Sequence, residues 1–127
     1  KCWHTIEKNK IIGEDIFMKE LYMQEISELT ELLREDEDWE DLRSILRLKG
    51  FDYNHILLVS FIEDEEENEY GVVVTCDLNV FEYSRSTKDG IDIFNSIKIN
   101  DITNTDKLDK YPQVSIAIDM INSGEIF

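Results

Sequence analysis

The chain has 127 residues and carries 29 Asp and Glu against 13 Lys and Arg, a formal net charge of −16, with a sequence pI near 4.3. With 42% hydrophobic and 10% aromatic residues it has material for one core, so wholesale disorder is excluded, and its length fits a single domain over 1–127 with no room for separate catalytic and binding domains. Direct binding to a nucleic-acid backbone is excluded because it needs clustered cations to displace counterions, and an anionic membrane surface is disfavoured for the same reason. The balance favours a cationic partner, solubility, or mimicry of nucleic acid.

No run of about 18 apolar residues is present, so no membrane-spanning helix is expected. Lys1-Cys2-Trp3-His4 lacks the basic and then apolar regions of a signal peptide. Cys2 and Cys76 form neither a Cys-x-x-Cys pair nor a disulfide-dense pattern, which makes a reducing cytoplasm the expected compartment. Two free, partly buried thiols are expected, with a bridge between them as the alternative.

In chain order, Trp3 to Ile6 has a slight strand pattern and would add an edge strand. From Gly13 to Lys49 the pattern is helical. Ile16, Phe17, Leu21, Ile26, Leu29, Leu32 and Leu33 recur at spacings of three to five with acids between them, the stripe of a first helix. Glu35-Asp36-Glu37-Asp38 follows, and Asp38 with Asp41 three residues on would cap a second helix starting near Trp39. Its apolar face is Trp39, Leu42, Ile45 and Leu46, with Leu48 a weaker member, and Gly50 ends it.

After Gly50 the period becomes that of strands. His55 to Ile62 reads HILLVSFI, too apolar on both faces for a solvated edge, so it is expected to be interior in the sheet or covered by helices. Glu63-Asp64-Glu65-Glu66-Glu67-Asn68-Glu69 places six acids in seven positions and reads as the tip of an acidic hairpin continuing into Tyr70 to Cys76. Asp77-Leu78-Asn79 turns the chain into Val80 to Ser84, and a polar loop over Ser86 to Gly90 leads to a fourth strand over Ile91 to Ile99. Asp101 to Asn104 closes the sheet, and Pro112 opens a short apolar helix that stops near Gly124. The fold class is α+β: two N-terminal helices, an antiparallel meander of four to five strands with helices on one face, then a short C-terminal helix.

No catalytic constellation, cofactor motif or metal set is legible. Gly-x-x-x-x-Gly-Lys, Gly-x-Gly-x-x-Gly, Gly-x-Ser-x-Gly and His-Glu-x-x-His are all missing, and His4 and His55 read as surface or partly buried polar residues. A Cys76/His55 nucleophilic pair would require the two to meet in space. The calcium-like frame Asp64-x-Glu66-x-Asn68 has Glu69 where an EF-hand needs glycine, and no helix precedes it.

What the residues do offer is concentrated negative charge. Residues 14 to 42 carry twelve acids against Lys19 and Arg34. Such crowding repels itself, and a domain needing only solubility avoids it by interspersing lysines. The leading recognition patch is Glu35, Asp36, Glu37, Asp38, Glu40 and Asp41 around Trp39. The second is Glu63, Asp64, Glu65, Glu66, Glu67 and Glu69, with Tyr70 as an aromatic anchor beside it.

An acidic chain without catalytic motifs, reading EYGVVVT, then VFEYS, then a DIT segment and a short apolar helix after YP, resembles the immunity proteins of bacterial toxin systems, including contact-dependent growth inhibition. The resemblance covers about Glu69 to Met120 and is carried by pattern, with no invariant functional residue to transfer. It implies a small cytoplasmic antidote that binds one cognate toxin domain, commonly a basic nuclease, and blocks its active site or substrate groove. Beside it stand an acidic nucleic-acid mimic of the anti-restriction type and a small enzyme or ligand-binding regulator. Residues 70 to 127, with Arg85, Lys88, Lys98, Lys107 and Lys110, are too mixed in charge to favour the mimic.

Overall fold

A computed structural model describes residues 2–88 and 97–124, with side chains described from residue 17 onward. Two helices, α1 (Cys2–Glu35) and α2 (Glu40–Leu48), precede an antiparallel meander of β1 (Ile56–Glu63), β2 (Asn68–Thr75), β3 (Val80–Ser86) and β4 (Lys98–Asp101), and α3 (Pro112–Asn122) follows. The α+β class and the helix-sheet-helix order are those expected. Pro112 stands in the first turn of α3, and Gly50 and Gly124 adopt positive φ just beyond α2 and α3. The expected strand over Ile91 to Ile99 falls largely on residues outside the described ones, and its described end is Ile97, buried, leading into β4.

Several local expectations are corrected. Trp3 to Ile6 is not an edge strand, because α1 runs through it from Cys2. Of the expected α1 stripe, Ile26 and Leu33 are buried and Leu29 is half-buried, whereas Phe17, Leu21 and Leu32 are exposed. The cap between the helices is Asp36, not Asp38. Its carboxylate accepts from the Asp38 N–H at 2.8 Å, because a short 3-10 helix (Glu37–Trp39) intervenes and moves the capping position upstream of α2. Leu42, Ile45 and Leu46 are buried as expected, but Leu48 points to solvent.

The largest correction concerns β1. It is an edge strand, in the order β1-β2-β3-β4, and not interior. Its apolar run is nevertheless accounted for, because helices cover both faces of the sheet rather than one. On one face Leu57, Val59, Val72, Val74 and Val80 pack with Ile26 of α1 and with Val114, Ala117 and Met120 of α3. On the other, Ile56, Leu58, Val73 and Tyr83 pack with Leu33 of α1 and with Leu42, Ile45 and Leu46 of α2. The pairing shifts between Leu58 and Ser60, so Val59 is an extra residue that joins Leu57 in the α3-side core.

An edge strand leaves one row of N–H and C=O groups without a strand partner. Here α1 supplies partners for two of β1's groups, the Leu58 N–H and the Ile56 carbonyl. The Thr30 hydroxyl accepts from the buried Leu58 N–H at 3.0 Å, and the Arg34 guanidinium donates to the carbonyls of Asn54 (3.1 Å) and Ile56 (3.3 Å). One buried polar group and one cation thus turn a helix into the neighbour that the sheet lacks on that side.

Candidate interaction surface

The β1–β2 hairpin is organised by one of its acids. The Asp64 carboxylate accepts from the backbone N–H groups of Glu66 and Asn68, both at 2.9 Å, from the Asn68 amide at 3.2 Å and from the Tyr70 hydroxyl at 3.3 Å. The backbone donation from Asn68 leads the causes that hold its pKa below the usual carboxylate value. Glu67 takes φ 64°, the left-handed conformation the turn requires. Asp64 is therefore committed to the turn, and Glu65, Glu66 and Glu67 project from it, exposed.

Glu69 is not part of that exposed run. It pairs with Arg85 across β2–β3 and is only 4% exposed, holding the guanidinium at 2.7 and 3.0 Å and accepting from the Tyr83 hydroxyl at 3.1 Å. Burial and the Glu69 charge push the Tyr83 phenol far up, so it stays a donor. Gly71 completes the arrangement, since a Cβ there would lie 2.2 Å from the Tyr83 ring. The period-two alternation of β2 carried the signal: Glu69 sits opposite Arg85, and Tyr70 faces the other way.

At the helix junction Trp39 is half-buried, its ring centroid 4.5 Å from that of Phe61, two residues before Glu63. Asp41 lies close enough for its charge to act on Arg85. The start of α2 thereby comes over the hairpin end of the sheet, where Glu63 pairs with Glu69, and two acidic runs separated in sequence share that end. Glu35, Glu37, Asp38, Glu40, Asp41, Glu63, Glu65, Glu66 and Glu67 are all exposed there or on the approach to it, and among the described residues none has an ion-pair partner. Of the nearby cations two are engaged elsewhere, while Lys88 lies beside Glu65, Glu66 and Glu67 at the tip. Arg43 donates to the carbonyls of Leu33 (3.0 Å) and Asp36 (2.7 Å), and Arg85 is held by Glu69.

Beside the hairpin, on the α3 side, the sheet forms a hollow of about 280 Å³ lined by Ile62, Tyr70, Glu82, Ser84, Asn100 and Tyr111 among others. Ile62 is 60% exposed and Tyr70 44%, so two large apolar side chains border the acidic tip. Across the hollow, Glu82 accepts from Tyr111 at 2.8 Å and from Lys107 at 3.3 Å. Sequence reasoning named Tyr70 but missed Ile62 and the hollow, because the face of β1 to which Ile62 belongs depends on the extra residue at Val59.

The structure does bring His55 and Cys76 to neighbouring positions. His55 sits in a 3-10 turn just before β1 rather than opening the strand, and its carbonyl accepts from the Cys76 N–H at 3.0 Å. Its Nδ1 lies 2.7 Å from Asp52. Among the described residues no hydrogen bond joins the ring to the thiol, and both side chains are exposed on the surface. Cys76 is thus an exposed free thiol and not partly buried, while the side chain of Cys2 lies outside those described. No helix among the described residues is long and apolar enough to cross a membrane, and no group of three or more His, Cys, Asp or Glu among them is placed to hold a metal ion. Comparison with known protein families, characterised proteins and solved structures finds no match to this chain.

Proposed function

We propose that this chain is an immunity-type antidote that acts in the cytoplasm of a bacterial cell, binding a cognate basic toxin domain and blocking its active site or substrate groove. The toxin is of the kind deployed in contact-dependent growth inhibition, and a nuclease is the class whose cationic groove best matches the charge. The observation that carries the reading is the hairpin end itself, where exposed carboxylates without ion-pair partners lie next to two exposed apolar side chains, Ile62 and Tyr70. A groove built for phosphates presents lysines and arginines, and such a surface steers it to the hairpin end. Ile62 and Tyr70 then supply the desolvated contact that slows dissociation.

The test is capture from an extract of the source cell on immobilised wild-type chain and on a Glu65→Lys, Glu66→Lys, Glu67→Lys variant, compared by quantitative mass spectrometry. The expected result is a basic protein retained by the first and lost from the second. Expressed alone that protein should arrest growth, and co-expression of the wild-type chain should restore it. Retention of an acidic protein, or equal retention by both baits, contradicts the proposal.

A further inference from the structure

The hollow beside the hairpin lies where one face of the sheet runs out from under its helix. Register places Ser60, Val72, Glu82 and Asn100 in one row across the four strands, and Ile62, Tyr70, Ser84 and Lys98 in the next row on the same face. Val114, Ala117 and Met120 of α3 pack on that face as far as Val72, and the second row is not part of that core. Tyr111, which precedes Pro112 at the start of α3, packs against the core and also lines the hollow. Tyr70 is the diagonal neighbour of Glu82 across β2–β3, a spacing that aromatic and long side chains bridge.

Among the described residues that line the hollow, Glu82 alone carries a charge. Its oxygens accept from Tyr111 at 2.8 Å and from Lys107 at 3.3 Å, one each, and a carboxylate has lone pairs for further donors. Lys107 is not a lining residue, and with about half its side chain exposed its pair with Glu82 is weak and readily exchanged. An anion is repelled here by Glu82 and by the acidic tip. A purely apolar group would strip water from the carboxylate and return no hydrogen bond. A cation on an apolar stem answers both the charge and the apolar lining. Of the two such side chains, the guanidinium is planar, less strongly hydrated than an ammonium and carries five donors against three. The lining offers it the Glu82 carboxylate, the hydroxyls of Ser60 and Ser84, the Asn100 amide, and the rings of Tyr70 and Tyr111. We infer that the hollow receives an arginine side chain of the partner, its guanidinium on Glu82 and its methylenes along Ile62 and Val72. That a basic protein brings this side chain rests on the antidote reading; the fit of the hollow to a guanidinium does not.

Titration of the full chain with acetyl-arginine methylamide at near-physiological salt, followed by amide NMR, tests this without the toxin. Saturable shifts centred on Tyr70, Ser84, Asn100 and Tyr111 are expected, with a dissociation constant in the millimolar range, and the corresponding lysine derivative should bind about threefold more weakly or worse. Glu82→Gln should weaken binding of the arginine derivative about tenfold, in a variant whose amide dispersion shows that it is folded. Lys107→Ala changes an exposed side chain, removes the competing cation and should strengthen binding about twofold. Shifts that do not saturate, or that fall on Glu65 to Glu67 instead of the hollow, overturn the inference. So do equal binding of the two derivatives, a folded Glu82→Gln variant that binds as the wild type does, or a Lys107→Ala variant that binds no more tightly. Capture of a basic protein by a chain whose hollow ignores the arginine derivative contradicts this inference alone, whereas saturable binding of the derivative without capture contradicts the antidote reading alone.

Discussion

Residue by residue, acids that look alike in sequence do different work. Glu69 is a buried partner, Asp64 a turn-holder, and Glu65 to Glu67 an exposed charge. Removing one member of a buried pair leaves the other charge desolvated, so Glu69→Gln should cost about 3 kcal/mol by breaking the hold on Arg85 and Tyr83. Urea denaturation checks it, and a loss below about 1 kcal/mol would show that Arg85 is not left desolvated without its partner. Gly71→Ala should cost about 1–3 kcal/mol through the Tyr83 ring that its methyl would meet. For Asp64 the pH dependence follows from direction alone. Its folded pKa lies below the usual 3.8, so its stabilisation of the turn is fully present above that value and is lost as pH falls through the lower, folded one. Amide exchange at Glu66 and Asn68 should therefore quicken in acid and in Asp64→Ala, and exchange that is pH-independent after correction for intrinsic rates would contradict this.

At the element scale the molecule depends on a helix serving as a sheet neighbour. Helix and strand patterns were legible because period 3.6 and period 2 are local properties. The place of β1 in the sheet was not. HILLVSFI is apolar on both faces, which reads as interior, but the same pattern is satisfied at an edge when α1 lies alongside and α2 and α3 cover opposite faces. Thr30, a polar residue within the apolar stretch of α1, was the available signal. Thr30→Val keeps its shape and strands the Leu58 N–H, so a loss of about 1–3 kcal/mol is expected, with faster exchange of that amide. Unchanged stability would mean that water reaches the edge. The Asp38 cap failed for a related reason, since the three-residue 3-10 helix before α2 leaves no mark in hydrophobic period.

At the scale of the whole molecule, charge is sorted along the fold. The acid-rich identity of the candidate surface was legible from composition and runs, but its extent was not, because only the folded chain sets the start of α2 over the hairpin end and withdraws Glu69 from it. Added salt screens the charges that steer a cationic partner to the hairpin end and weakens its association. The most direct measurement is the association rate of the captured basic partner with the wild-type chain and with the Glu65/Glu66/Glu67→Lys variant, followed by stopped flow across a salt series. The wild-type rate is expected to fall on the order of tenfold or more from low to near-physiological salt, and the variant to be slower at low salt and far less salt-dependent, with unchanged melting temperature. Equal rates and equal salt dependence for the two chains would contradict it.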